Sequence, residues 1–239
     1  MILNNKKPNN NSKLKTTLAS SGLLLPELSA LLTYLEENVS YENIRKKVVN
    51  DNILSKPSIQ SSQVIWSKLS ARYKFNDKDN LFQNWLELIT QSEGYDLSQL
   101  ATLRWAQSDL LLRFLWREIY LLIRNMKSPV QSKDIIDYIR SIKGHSTPKR
   151  FFFERSENVQ TRIAQHFLLI LRDCGAARGK KNKTLSILPV GENASRYAVR
   201  LAKYDSPGSN EILDHWALRW WGDSPTKADD IIRKVEYDS

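Results

Sequence analysis

A single cysteine, Cys174, excludes an internal disulfide and fits a reducing compartment. Eight glycines and eight prolines in 239 residues are too few for a loop-rich or collagen-like chain. No segment reaches the roughly 18 uncharged apolar residues expected of a membrane helix. Thr16–Leu35 is interrupted by Pro26 and Glu27, and Leu110–Ile123 carries Arg113, Arg117 and Glu118, which would be costly in lipid. The Asn- and Lys-rich start has no apolar signal-peptide core. A soluble, cytoplasmic protein with no membrane partner is expected.

Catalytic signatures are missing too. His145, His166 and His215 are isolated, and one cysteine gives no metal-ligand spacing. Arg178-Gly179-Lys180 lacks the two-glycine frame of a phosphate-binding loop, and neither Gly-x-Gly-x-x-Gly nor Gly-x-Ser-x-Gly occurs. The pairs Asp134/Asp137 and Asp229/Asp230 read as ordinary helix-surface acids. The expectation is a protein that is not an enzyme and needs no cofactor or metal.

Acidic residues are scarce in one region. Between Arg140 and Lys183, eleven lysines and arginines face three acids, a net charge of +8 against +10 for the whole chain. Residues 1–15 contribute +4, whereas 16–95, 96–139 and 184–239 carry −1, +1 and −2. Charge of one sign gathered in one window presents a directed field to a polyanion, most often nucleic acid. A basic surface serving solubility alone spreads both signs evenly.

Apolar periodicity makes the chain mostly α-helical. Residues 1–15 read as a disordered basic arm and 16–127 as a helical bundle. Helices start at Pro26, Ser40, Pro57-Ser58, Asp79 and a capping box at Asp96–Gln99. A nearly all-apolar helix, Ser108–Asn125, forms the bundle centre, with Arg113, Arg117, Tyr120 and Arg124 on one solvated or ion-paired strip. Ser128-Pro129 marks a boundary, and 128–239 reads as a winged helix-turn-helix-like basic domain with C-terminal helices. Its parts are a helix at 132–142, a short one near Arg150–Phe153, and one capped by Ser156 and ended by Gly175. A β-hairpin follows, from Thr184–Val190, through the turn Gly191-Glu192-Asn193, to Tyr197, Val199 and Leu201. Helices at 210–221 and 224–235 close the chain, the first with Ile212, Leu213, Trp216 and Trp220 on a docking face.

On the helix after Ser156, Val159, Ile163, Phe167, Ile170, Leu171 and Cys174 share the core side. Asn158, Thr161, Arg162, Gln165 and Arg172 fall opposite, and Asn, Gln and Arg are the side chains able to contact base edges in pairs of hydrogen bonds. Lys149, Arg150 and Arg155 precede the helix, and Arg178, Lys180, Lys181 and Lys183 follow it, as phosphate contacts at both ends of a groove-entering helix would. Phe151-Phe152-Phe153 among these cations either anchors a loop or stacks unpaired bases.

Several segments resemble the BrxA family of BREX bacteriophage-defence systems. They are Ala19-Ser20-Ser21-Gly22-Leu23-Leu24, Ile44–Val49 with Asn52-Ile53-Leu54, Leu69-Ser70-Ala71-Arg72-Tyr73, and Gln107-Ser108-Asp109-Leu110-Leu111-Leu112-Arg113-Phe114. The resemblance spans about 16–190. It implies a helical, non-catalytic component that binds double-stranded DNA and works beside a methyltransferase, an ATPase and a phosphatase-like subunit. It offers no catalytic residues to carry over. Two other readings stay open: an interaction scaffold whose basic patch meets an acidic protein, and an RNA-binding helical factor.

Overall fold

A computed structural model of the chain describes residues 16–36, 40–126, 128–144, 146–206, 209–222 and 224–237. The basic arm and His145 lie outside the described residues. Local signals set the first helices. In α1 (Leu25–Glu36), Leu28, Leu31, Leu32 and Leu35 are buried, as their spacing predicts. Helix α2 (Tyr41–Val49) is capped by Ser40 Oγ accepting from the Asn43 amide at 3.3 Å. Helix α3 (Ile59–Tyr73) is capped by Ser58, and α4 (Asn80–Thr90) by Asp79. Trp66, Leu69 and Tyr73 face the core, but Ile59, at the very start of α3, is exposed.

Helix α5 (Gly94–Ala106) begins two residues before Asp96, so the expected capping box does not form. Asp96 turns its carboxylate to a different helix instead, described below. Asp109 caps α6 (Leu110–Phe114), accepting from the amides of Leu111 and Leu112 at 3.1 and 3.0 Å. Helix α6 runs without a break through a π-helical stretch, Leu115–Tyr120, into α7 (Leu121–Ile123). The wider π turn breaks up the expected solvated strip. Tyr120 is buried, its hydroxyl accepting from the Leu188 amide at 3.2 Å. Arg113 lies over the Trp216 ring at 4.4 Å and donates to the carbonyls of Ala106 and Gln107. Arg117 remains outside, near Glu118.

Beyond Pro129 come α8 (Ser132–Ser141), α9 (Thr147–Phe153) and α10 (Glu157–Asp173). Next is a hairpin of β1 (Ala177–Arg178) and β2 (Thr184–Leu185), paired antiparallel with Ala177 opposite Leu185. The backbone of Lys183 also exchanges two hydrogen bonds with Val130, tying the hairpin to the entry of α8. The hairpin thus lies earlier than expected, and the expected strand around Tyr197–Leu201 belongs to α11 (Glu192–Asp205). Alternation there was misleading because Tyr197, Ala198, Leu201 and Ala202 are buried with Val199, which is the wide face of a helix packed on several sides. Gly191 opens this helix instead of a turn. Asp96 Oδ1 and Oδ2 accept from the amides of Ala194 and Asn193 at 2.8 and 3.2 Å, capping α11 from a distant part of the chain.

The expected helix at 210–221 is not continuous. It resolves into α12 (Ser209–Ile212) and a 3-10 turn, Leu218–Trp220, before α13 (Pro225–Tyr237). Its tryptophans serve the core: Trp220 stacks on Trp116 at 4.1 Å, and Trp221 Nε1 donates to Pro189 O at 3.1 Å.

The protein is mostly helical, and among the described residues there is one short two-stranded hairpin. One hydrophobic cluster runs from Leu18 to Ile231, with α11 on α4 and α5 and α10 on α5 and α8. Gln99 of α5 latches the hairpin segment to the bundle. Its Nε2 donates to Cys174 O at 2.9 Å and Pro189 O at 2.8 Å, and its Oε1 accepts from the Gly191 amide at 3.1 Å. No helix among the described residues is long and apolar enough to cross a membrane.

Candidate nucleic-acid interface

Helix α10 carries the sequence-expected division of faces. Ile163, Phe167, Ile170, Leu171 and Cys174 are buried, and Val159 is half-buried. Burial pushes the Cys174 thiol well above its ordinary value, so it is inert at neutral pH. On the other side Asn158, Arg162, Gln165 and Arg172 are exposed and Thr161 is half-buried, forming one stripe at helical spacing. Among the described residues nothing buries the four exposed side chains of that stripe. His166, at its margin, donates from Nδ1 to Leu18 O at 2.6 Å. Burial lowers its pKa, assisted by Arg72, Arg162 and Lys68 nearby. Lys68 of α3 is thus a cation in the neighbourhood of His166 that sequence spacing could not place there.

At the N-terminal end, Arg155 is exposed, with its guanidinium 4.1 Å over the Phe151 ring. Arg150 is exposed and within 3.5 Å of Glu154. Lys149 behaves differently: its Nζ donates to the carbonyls of Arg140 and Ile142, where it satisfies the last turn of α8. It acts as a strut for the end of α8.

At the C-terminal end the chain turns through Gly175 into the hairpin, whose tip is Gly179-Lys180-Lys181-Asn182. Gly179 has φ +97°, and a Cβ there would lie 2.4 Å from Asn182 O, so the tight tip requires glycine. Arg178, Lys180 and Lys181 are exposed. Lys183 is not: it is 2% exposed, with Nζ donating to Gly179 O at 2.8 Å and to Lys180 O. Burial lowers its pKa, with Arg172 adding to the effect and Asp173 opposing it, which places the hairpin beside the end of α10. Lys183 holds the loop closed so that Lys180 and Lys181 project. Arg172 is exposed but shares Asp173 at 2.8 Å.

Phe151 and Phe152 are buried and fasten α9 to the core, while Phe153 is only half-buried. A cleft of about 480 Å³ near the start of α10 is lined by Lys74, Trp105, Asp109, Phe151 and Arg155. Among the described residues no group of three potential metal-ligating side chains occurs.

Segments far apart in sequence meet at this cleft. Arg72 is fully buried, lies 4.1 Å over Trp105, and donates to Thr17, Ser21 and Gly22 oxygens. Tyr73 Oη donates to Leu23 O at 2.6 Å, and Thr16 Oγ1 to Asp109 Oδ2 at 2.7 Å. The 16–24, 69–73 and 107–114 segments are thus one structural unit. No curated protein is significantly similar to the chain. The sequence model of the BrxA family matches residues 12–198, well over half the chain and including all three of those segments. The chain belongs to the BrxA family, and with it to the components of BREX phage defence.

Proposed function

We propose that this protein is a non-catalytic, cytoplasmic subunit of a BREX system that binds double-stranded DNA mainly through phosphates. The observation that supports this reading is the uncovered Asn158–Arg172 stripe of α10, with Arg150 and Arg155 at one end and Arg178, Lys180 and Lys181 at the other. Three helices followed by a hairpin with a basic tip suit a winged helix-turn-helix mode of docking. The exposed Asn158 and Gln165 can touch base edges, but cations dominate the surface, so binding is largely independent of sequence. The N-terminal bundle, where Ile59 and Val64 project from α3, serves as the platform for partners such as the methyltransferase, ATPase or phosphatase-like subunit.

A salt titration of duplex binding tests this. Neutralising about five to seven phosphates gives a slope of log affinity against log salt of roughly −4 to −6. The double variant Lys180→Glu, Lys181→Glu should flatten the slope by more than about one. Binding indifferent to salt and to these substitutions would refute the proposal. Tighter binding of RNA than of duplex DNA would shift it to the RNA reading.

A further inference from the structure

Between the end of α8 and the outer side of α9 lies an open cleft of about 490 Å³, lined by Arg140, Lys149, Arg150, Phe153 and Glu154. Phe153 forms its aromatic wall. That ring meets the buried Phe152 edge to face, with centroids 5.2 Å apart and planes at 90°, so its orientation is fixed from behind. Arg140 lies 5.8 Å from the Phe153 centroid, and the side chains of Arg140 and Arg150 are 66% and 74% exposed. Lys149 is pinned at the cleft edge by its bonds to the α8 carbonyls.

Phe153 packs against the core beside the buried Phe151 and Phe152, but part of its ring is left open beneath an arginine. A phosphate alone has no use for that ring. A paired base inside a duplex cannot present its face to one. An unpaired base satisfies both parts, stacking on the ring while its phosphate meets the guanidinium groups.

We infer that this cleft captures an unpaired nucleobase at the end of a DNA duplex whose paired part lies along α10. The inference rests on the duplex-binding reading above, because Arg150 belongs both to the cleft and to the cations flanking α10. The captured base would fix the protein at a duplex end or single-strand junction.

The test uses the full chain and fluorescence anisotropy with matched duplexes, one blunt and one bearing a short single-stranded DNA overhang. A 2-aminopurine placed in the overhang reports stacking. The wild type should prefer the overhang and quench the probe. Phe153→Leu, which keeps the apolar contact with Phe152, should weaken overhang binding by roughly five- to a hundredfold. It should leave blunt-duplex affinity and thermal melting unchanged, and Phe153→Tyr should retain the preference. Equal affinity of the wild type for both duplexes, or an overhang preference that survives Phe153→Leu, overturns the inference while leaving duplex binding standing. Failure to bind either duplex would instead remove the functional reading beneath it.

Discussion

Arg72 and Asp109 show how single side chains organise the region around the start of α10. Burial lowers the Arg72 pKa to about 10, so the guanidinium stays charged at neutral pH, satisfied by five oxygens of residues 17–22, none of them a carboxylate. Arg72→Met would strand those carbonyls without water, and urea unfolding should show a loss of about 3 kcal/mol. A loss within about 0.5 kcal/mol, the usual surface value, would contradict the role. Asp109 is 3% exposed, and burial raises its pKa despite four hydrogen bonds to the carboxylate. A carboxylate whose folded pKa lies above its unfolded value takes up a proton on folding. Stability therefore increases as pH falls through the raised folded value toward the unfolded one, and that gain is lost as pH rises again. Wild type should gain stability relative to Asp109→Asn as pH is lowered through that window in thermal melts, and a pH-independent difference would refute the assignment. Neither role is visible in sequence. The partners of Arg72 are 50 to 55 residues away, and Asp109 joins its local contacts at the start of α6 to Thr16, 93 residues away.

At the level of elements, helices closed by their own flanking residues were legible. Ser40, Ser58 and Asp79 each cap the next turn, and the apolar spacing of α1, α4 and α10 matches their buried faces. Elements set by tertiary contacts were not. Helix α11 looked like a strand after a glycine turn because its capping acid, Asp96, comes from α5. A Cβ at Gly191 would lie 2.3 Å from Asp96 Oδ1. Gly191→Ala should therefore cost about 2 kcal/mol through the displaced cap. The double variant with Asp96→Ala should cost clearly less than the sum of the two single changes, since removing the Asp96 carboxylate relieves the closer clash and leaves only that with Gln99 Oε1 at 2.8 Å. Strict additivity in a double-mutant cycle would show that the cap and the glycine are independent. The π-helical stretch after α6 is of the same kind: it turns Tyr120 to the hairpin segment, which periodicity alone had assigned to solvent.

For the molecule as a whole, the charge imbalance between Arg140 and Lys183 was plain in the sequence, but which cations are free was not. Lys183 and Lys149 are occupied with backbone carbonyls and brace the hairpin tip and α8, whereas Lys180, Lys181, Arg178 and Arg155 project. Lys68 of α3 lies near enough to His166, at the margin of α10's exposed face, to help lower its pKa. The bundle thus supplies a rigid mount, through Gln99 and Tyr120, for a cationic helix and hairpin. Amine-reactive footprinting of the full chain with and without duplex DNA probes that surface residue by residue. Lys180 and Lys181 should lose reactivity on binding, while the exposed Lys46 of α2 and Lys234 of α13 keep theirs. Protection of Lys46 or Lys234 with Lys180 and Lys181 still reactive would place the DNA elsewhere and contradict the account.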